Sequence, residues 1–282
     1  MCRHLAYVGP PTRLAPLLLD APHGLLHQSY APSDMRGGGT VNADGFGAGW
    51  YPFVAAEGAA APAAAPHGDP GDAPAALVGA APARYRSDRP LWADTGFAAL
   101  AAVTPTTGVL AAVRSATPGM PVTSTAAAPF ADGRWLFSHN GVVRGWPGAV
   151  AGLAAELPIT DLLTLDAPTD SALLWALVRH RLRAGDDPAA VLVDVVRSVD
   201  GAAPRSRLNL LLTDGTAIWA TTWTHALSVR RGTGAVTVAS EPSDASAGWM
   251  TVPDRSLVVA TPQHCDVRPL DVAAPAPGSS AA

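Results

Sequence analysis

The sequence is 282 residues long with a formal net charge of −4, and 48% of its residues are hydrophobic, which suits one large or two small globular domains. Its 19 basic residues are all Arg and form no cluster, which excludes the electrostatic footprint of a nucleic-acid-binding protein. Because no apolar run approaches the roughly 20 residues that span a bilayer, and no secretory leader pattern is present, we expect a cytoplasmic protein without a membrane partner.

The first stretch, MCRHLAYVGP, places Cys2 directly after the initiator methionine. Removal of Met1 would leave a thiol and a free α-amine on one residue, a nucleophile that carries its own base. Neither group needs a large pKa shift to react near neutral pH, since the reference pKa is about 7.7–8.0 for the amine and about 8.5 for the thiol. The alternative is that a Cys near the start of a chain has no function, and these ten letters do not decide between the two.

The first half of the chain reads mainly as strands separated by loops. RHLAYVG, residues 3–9, predicts a strand, and Thr12 could cap a short helix through LAPLLLD. GFGAGWYPF predicts a strand that packs closely on another sheet, whereas the Ala- and Pro-rich residues 55–76 predict a flexible insertion. Three further segments are strand-like, namely FAALAAV, VLAAVRSAT and RWLFSHNGVV.

The second half predicts two helices and then more strands. SALLWALVRHRLRAG predicts a helix that stops at Gly185, and Asp187 and Pro188 predict the start of the next one. Asp-Gly joins two strand-like runs in RLNLLLTDGTAIWATTW, which predicts a hairpin, and ALSVRR, AVTVAS and SLVVATP predict further strands. The tail, residues 272–282, is expected to be disordered. This order indicates an α+β chain with mostly antiparallel sheets, and the lack of a linker favours a single domain over residues 2–271.

Three motifs could supply the groups that acyl transfer from an amino acid needs. In SHNG, the Asn140 side-chain amide and the Gly141 backbone N–H could form an oxyanion hole, although an ordinary Asn-Gly turn explains the same letters. In VRSAT, Arg114 ends an apolar strand, and its guanidinium suits a carboxylate. In PTDS, Asp170 either caps the following helix or holds an ammonium. A carboxylate binder and an ammonium binder together are what an α-amino acid head group requires.

Six motifs, in this order and spacing, resemble the class II glutamine amidotransferase family of N-terminal nucleophile hydrolases: MCRHLAYVG, NADGFGAGWY, VRSAT, FSHNGVV, TDSALL and ASEPSD. The resemblance implies a four-layer αββα sandwich of mostly antiparallel sheets, a small-molecule γ-glutamyl substrate, and no metal or organic cofactor. The site residues that it implies are Cys2 as nucleophile with its α-amine as base, Asn140 and Gly141 as the oxyanion hole, Arg114 with Thr117 on the glutamyl α-carboxylate, and Asp170 on the α-ammonium.

Two departures from the family's pattern narrow the expected substrate. Many members have a His where this chain has Pro118 and another where it has Ala128, which puts free glutamine in doubt as the main substrate. We also expect no second domain to receive ammonia. The chain most resembles the free-standing ergothioneine-pathway members that hydrolyse γ-glutamyl-hercynylcysteine sulfoxide, and Trp50 or Trp92 could contact the trimethylammonium of that substrate by a cation–π interaction.

Three alternatives stay open at this stage. They are the glutaminase subunit of a two-protein amidotransferase, a hydrolase of glutathione-type γ-glutamyl thiols, and an inactive relative that only binds a ligand. His4 points the same way as Cys2 if strand alternation holds, although a His at such a position more often packs than catalyses. The sequence indicates no oligomeric state and no role for Cys265.

Overall fold

The computed structural model describes residues 2–35, 41–53 and 81–270. The insertion expected at 55–76 and the tail expected at 272–282 lie outside these ranges. The described strands are β1 (Arg3–Arg13), β2 (Phe46–Pro52), β3 (Ala83–Ser87), β4 (Pro105–Val113), β5 (Phe130–Asp132), β6 (Trp135–Val142), β7 (Arg207–Thr213), β8 (Ile218–Thr222), β9 (Ser228–Gly232), β10 (Ala235–Ala239), β11 (Trp249–Thr251), β12 (Ser256–Ala260) and β13 (Cys265–Pro269). The described helices are α1 (Leu14–Leu18), α2 (Leu25–Tyr30), α3 (Thr95–Val103), α4 (Ala151–Ala155), α5 (Ile159–Leu163), α6 (Asp170–Arg183) and α7 (Pro188–Ala202).

Within the described ranges the strands form two sheets. The larger has the order β11-β9-β10-β1-β4-β2-β3 and the smaller the order β13-β12-β8-β7-β6-β5. The pairings are antiparallel, as the sequence predicted. β1 therefore lies between β10 and β4, and the start of β1 meets the ends of both neighbours, because Arg3 pairs with Val113 and Leu5 pairs with Ala239.

Side chains alternate between two faces along each strand, and this alternation builds the layers. On β1, Ala6 and Val8 belong to the apolar core between the two sheets. Leu5 and Tyr7 point the other way and join a second core beneath α1, α2 and α3. A third core lies between the smaller sheet and α6 and α7. Helices thus cover both outer faces of a two-sheet sandwich, which confirms the four-layer αββα arrangement.

The two longest helices, α6 and α7, begin at the capping residues that the structure shows, close to the predicted positions. The Thr169 hydroxyl accepts a hydrogen bond from the N–H of Ala172 at the start of α6, and the Asp187 carboxylate accepts one from Ala190 at the start of α7. Gly185 has a φ of 88°, the left-handed geometry that commonly ends a helix, so the predicted stop of α6 is confirmed. None of the described helices has the length and apolar character needed to cross a bilayer.

Two local predictions were wrong. FAALAAV forms most of α3 rather than a strand, because Asp94 accepts a hydrogen bond from the N–H of Phe97 and starts a helix whose buried face carries Phe97 and Ala101. Thr12 does not cap α1. It pairs with Thr106 inside β1, and Arg13 occupies the cap position without a side-chain hydrogen bond.

Candidate active site

Cys2 lies at the end of the larger sheet, just before β1. By the alternation that places His4 and Ala6 between the sheets, its side chain also points to the inter-sheet side, where its Sγ is 3.7 Å from the carbonyl oxygen of Ser115. The half-buried thiol lines a cavity of about 30 Å³ together with Arg114, His139 and Ser171, which we call the thiol cavity. The cavity brings residues of β4, β6 and α6 next to Cys2.

Arg114 follows β4 and is held by the chain around it. The residue is 9% exposed, and its guanidinium donates to the carbonyl of Pro121 at 2.8 Å. The backbone N–H of Arg114 donates to Gly45, and the Asp44 carboxylate accepts from the N–H of Ala116 at 2.8 Å. The NADG and VRSAT motifs therefore form one unit beside the thiol.

Thr117 lies in the same loop but is exposed and does not line the thiol cavity. Its carbonyl accepts a hydrogen bond from the N–H of Met120, which closes a turn. Arg114 is thus placed beside Cys2, whereas Thr117 lies at the outer edge of this region.

Asn140 and Gly141 lie inside strand β6, opposite Asn209 and Leu208, so the alternative of an ordinary Asn-Gly turn is wrong. The Asn140 amide donates to the Ser240 hydroxyl at 3.4 Å, and its Oδ1 has no hydrogen-bond partner in the described part of the chain. A Cβ on Gly141 would lie 1.8 Å from the carbonyl oxygen of Arg207, so only glycine fits. The Asn140 side-chain amide and the Gly141 backbone are therefore neighbours in β6. They directly follow His139, which lines the thiol cavity.

Asp170 is the first residue of α6 and not its cap, because Thr169 occupies the cap position. The alternative explanation of Asp170 as an N-cap is therefore wrong. One Asp170 oxygen accepts from the N–H of Val143 at 2.9 Å and the other from the N–H of Ser171 at 2.7 Å. The carboxylate is buried, and Ser171, its neighbour in sequence, lines the thiol cavity.

Neither of the two Trp residues suggested by the sequence lines the thiol cavity. Trp50 packs against the core beneath α1 to α3, on the opposite face of the larger sheet from His4. Trp92 is 42% exposed and has an edge contact with Tyr30, at 6.0 Å between ring centroids. Among the described residues, no group of three or more His, Cys, Asp or Glu side chains has metal-site geometry.

His4 is a packed residue in this arrangement. Its Nδ1 lies 3.2 Å from the Ser138 hydroxyl, and burial, with the nearby His139, His225 and Arg3, lowers the pKa of His4 to about 3. The ring is therefore neutral at physiological pH.

No protein-family model matches the chain. It is 42% identical over 271 residues to the γ-glutamyl-hercynylcysteine sulfoxide hydrolase of Mycolicibacterium smegmatis, covering 96% of this chain and 100% of that protein. It is 40% identical over 274 residues to the hydrolase of the same name from Mycobacterium tuberculosis, covering 96% and 97%. The chain belongs to the γ-glutamyl-hercynylcysteine sulfoxide hydrolase family.

Solved structures show that this hydrolase family member has the glutamine amidotransferase fold. A glutamine aminotransferase class-II domain protein from Silicibacter pomeroyi superposes with a TM-score of 0.62 at 20% identity, covering 95% of this chain and 99% of that one. The glutamine phosphoribosylpyrophosphate amidotransferase from B. subtilis also has a TM-score of 0.62, at 12% identity, covering 96% of this chain and 50% of that one. The fold predicted from the six motifs is thereby confirmed.

Sequence reasoning missed three polar residues of this family member's site. His139 has its Nε2 at 2.9 Å from the carbonyl of Arg207, so Nε2 donates and Nδ1 accepts from the Ser171 hydroxyl at 3.0 Å. Burial lowers the pKa of His139. The nearby Asp170 carboxylate raises this pKa, but by less than burial lowers it, so the ring stays neutral. The third residue, Ser240, contacts Asn140 across 100 residues of sequence. All three lie inside motifs that were quoted, FSHNGVV, TDSALL and ASEPSD, but the motifs alone do not show which residues face the site.

Proposed function

We propose that the chain hydrolyses the γ-glutamyl amide bond of γ-glutamyl-hercynylcysteine sulfoxide and releases glutamate and hercynylcysteine sulfoxide. The observation that supports the proposal is the thiol cavity, which Cys2 and Arg114 line together with His139, the residue that precedes Asn140 and Gly141 in β6. The names of the relatives at 40–42% identity support this substrate.

In this proposal Arg114 and Asp170 bind the two charged groups of the glutamyl head. The Arg114 guanidinium takes the α-carboxylate with help from the nearby Thr117, and the buried Asp170 carboxylate takes the α-ammonium. When the substrate binds, its α-carboxylate takes the place of the Pro121 carbonyl, which accepts a hydrogen bond from the Arg114 guanidinium at 2.8 Å. Ala128 lines the thiol cavity without a polar group, in keeping with a preference for amides other than free glutamine.

The reaction then follows from acid–base and nucleophilic chemistry at Cys2. After removal of Met1, the α-amine accepts the thiol proton and Sγ attacks the γ-carbonyl carbon. The Asn140 Nδ2–H and the Gly141 N–H stabilise the tetrahedral oxyanion, and loss of one such donor typically costs about 10²–10³ in rate. The ammonium returns its proton to the leaving nitrogen as the C–N bond breaks. Water, deprotonated by the same amine, hydrolyses the resulting thioester to glutamate.

The direct test uses the purified chain without any partner protein. Incubation with γ-glutamyl-hercynylcysteine sulfoxide is expected to release glutamate, faster than from glutamine or from glutathione. Intact mass spectrometry is expected to show loss of Met1 and, during turnover, a γ-glutamyl adduct that is absent from Cys2→Ala. Substantial glutamate release by folded Cys2→Ala would refute the assigned nucleophile, and a preference for glutamine would refute the assigned substrate.

A further inference from the structure

Given the proposed function, on which this inference rests, the leaving group carries a carboxylate next to the bond that breaks. In γ-glutamyl-hercynylcysteine sulfoxide the scissile nitrogen is the α-amine of a cysteine residue, so the carbon bonded to that nitrogen also bears the cysteine carboxylate. Glutamine has no such group, because its leaving group is ammonia. A cation placed beside the scissile amide therefore favours this substrate over glutamine.

Arg207 is a cation on the same face of the smaller sheet as Asn140, the proposed oxyanion donor. Val142, two positions after Asn140 in β6, pairs with Arg207 in β7, so the three side chains share one face. Leu211, on that face of β7, belongs to the core between the two sheets. Arg207 is therefore a diagonal neighbour of Asn140 on the inter-sheet side, at the separation of about 7–8 Å that long side chains can bridge.

The Arg207 side chain lacks an ionic partner in the described part of the chain. Its Nε is buried there without a hydrogen-bond acceptor, and none of the ion pairs between described residues includes Arg207. Arg207 also does not line the thiol cavity, in which the glutamyl head is proposed to bind. Because a buried donor without an acceptor is costly, these observations indicate that Arg207 binds an anionic group other than the glutamyl α-carboxylate.

Two further Arg residues lie where β6 ends and β7 begins. The backbone N–H of Arg144 donates to the Ser206 hydroxyl at 3.1 Å, and Arg144 and Arg205 line one cavity. No acidic residue is among the described residues that line this cavity, and neither Arg forms an ion pair with a described carboxylate. Burial lowers the pKa of Arg207, the nearby Arg144 lowers it further, and Cys2 raises it, so the Arg207 guanidinium lies within electrostatic range of both. The region between the thiol and these arginines is therefore positive.

The structure of the substrate brings its leaving-group carboxylate to this positive region. The carbonyl oxygen and the leaving nitrogen are bonded to the same carbon, so the cysteine carboxylate lies only a few bonds from the oxyanion that Asn140 is proposed to stabilise. Arg114, which follows β4 in the larger sheet, is assigned to the glutamyl α-carboxylate. Arg207, at the start of β7 in the smaller sheet, remains for the carboxylate of the leaving group, whose geometry the planar guanidinium matches.

We infer that Arg207, assisted by Arg144, binds the carboxylate of the leaving amino acid. The substrate class is then the γ-glutamyl amides of α-amino acids, and selection against glutamine takes place at Arg207 and not at Arg114. The two carboxylates on either side of the scissile amide are bound by arginines of different sheets, so a substitution of Arg207 affects recognition of the leaving group.

The test compares γ-glutamyl-hercynylcysteine sulfoxide with an analogue in which a neutral carboxamide replaces the cysteine carboxylate. The measurement is the ratio of the two kcat/KM values, sulfoxide over analogue, because this ratio does not depend on the fraction of active protein in a sample. The unmodified protein is expected to give a ratio of about 10 to 100, mainly through KM, as for a hydrogen bond to a charged group. The ratio is expected to be smaller at high salt, which screens the charges.

Substitutions then test whether Arg207 sets this ratio. Arg207→Gln is expected to lower it to about 3 or less, and Arg207→Lys, which keeps the charge but not the planar fork, is expected to give an intermediate value. Arg268→Gln removes the same charge at an exposed position of β13, three strands from β7, and is expected to leave the ratio unchanged. Should Arg207→Gln fold poorly, Arg144→Gln, at an exposed position, is expected to lower the ratio about twofold to fivefold.

The outcomes separate the role of Arg207 from the proposed function. If the unmodified protein releases glutamate from neither compound, the proposed function fails. If it cleaves both with equal kcat/KM, the role of Arg207 is overturned while the proposed function stands. The same holds if Arg207→Gln changes the ratio no more than Arg268→Gln does.

Discussion

At the scale of single residues, the site depends on how a few polar groups are held in place. The Asn140 amide has two N–H bonds, and one of them is directed to Ser240, which leaves the other for a ligand. Ser240 is fixed in turn by the backbone of His4, two residues from the thiol. The Asn140 amide, the proposed oxyanion donor, is therefore tied to the strand that directly follows Cys2, the proposed nucleophile.

This tie predicts how Asn140 and Ser240 variants combine. We expect Asn140→Ala to lower kcat for γ-glutamylmethylamide by about 10²–10³ and Ser240→Ala to lower it by about tenfold, with KM nearly unchanged in both. Because Ser240 acts through Asn140, the double variant should be no slower than Asn140→Ala. Steady-state kinetics of the four proteins checks this, and strictly multiplicative losses would contradict it.

Gly141 gives a prediction about stability. A methyl group there would overlap the Arg207 carbonyl, so Gly141→Ala is expected to lower the free energy of unfolding by about 3 kcal/mol or more. Gly152, in α4, has no atoms within 4 Å of an added Cβ, and Gly152→Ala should stabilise by about 0.5–1 kcal/mol. Urea denaturation of both variants is the measurement. Equal effects would mean that strand β6 can shift away from Arg207.

At the scale of elements, α6 both supports the core and carries site residues. Its buried face includes Leu173, Trp175 and Val178, and its first turn places Asp170 and Ser171 beside His139. The Thr169 cap therefore fixes the end of the helix at which these groups lie.

Comparing the two helix caps separates stability from substrate binding. Thr169→Ala removes the side-chain hydrogen-bond acceptor that caps α6, and Asp187→Ala removes the one that caps α7. Each substitution is expected to lower the free energy of unfolding by about 1 kcal/mol. Only Thr169→Ala should also raise KM for the glutamyl substrate, because only α6 carries Asp170. Thermal denaturation and KM are measured for both, and a matching rise in KM for Asp187→Ala would contradict the assigned role of α6.

The elements also show how far sequence reasoning reached. The hairpin of β7 and β8, with Gly215 at a φ of 86°, and the start of α7 follow from local turn and cap chemistry and were predicted correctly. The helix at FAALAAV was not predicted. Nearly all of its residues are apolar, so the sequence shows neither the helical nor the strand spacing of hydrophobic residues, and the Asp94 cap is the single helix signal. The contact of Ser240 with Asn140 needed the sheet order, since the two residues are 100 positions apart.

At the scale of the whole molecule, buried histidines couple stability to pH. Burial, with the nearby Arg207 and Arg3, lowers the pKa of His225 to about 3, and burial does the same for His4. The unfolded chain binds protons at these rings near pH 6.5, but the folded chain does so only near pH 3. The stability contributed by keeping both rings neutral is complete above pH 6.5 and is lost as the pH falls from 6.5 towards 3.

We therefore predict that the free energy of unfolding decreases steeply as the pH is lowered. Each ring contributes up to about 1.4 kcal/mol per pH unit below pH 6.5, so the free energy of unfolding should fall markedly between pH 6.5 and 5. His225→Gln should reduce the slope, and His180→Gln, at a side chain 45% exposed, should not. Urea titrations at several pH values measure the slope, and a flat profile for the unmodified protein would contradict neutral burial.

The central place of β1 also bears on how such a protein can change over evolution. Cys2 directly precedes a strand that is hydrogen-bonded on both edges, so the position of its backbone does not depend on the loops that follow β4 and β10. Either loop can therefore be exchanged while the position of Cys2 is kept.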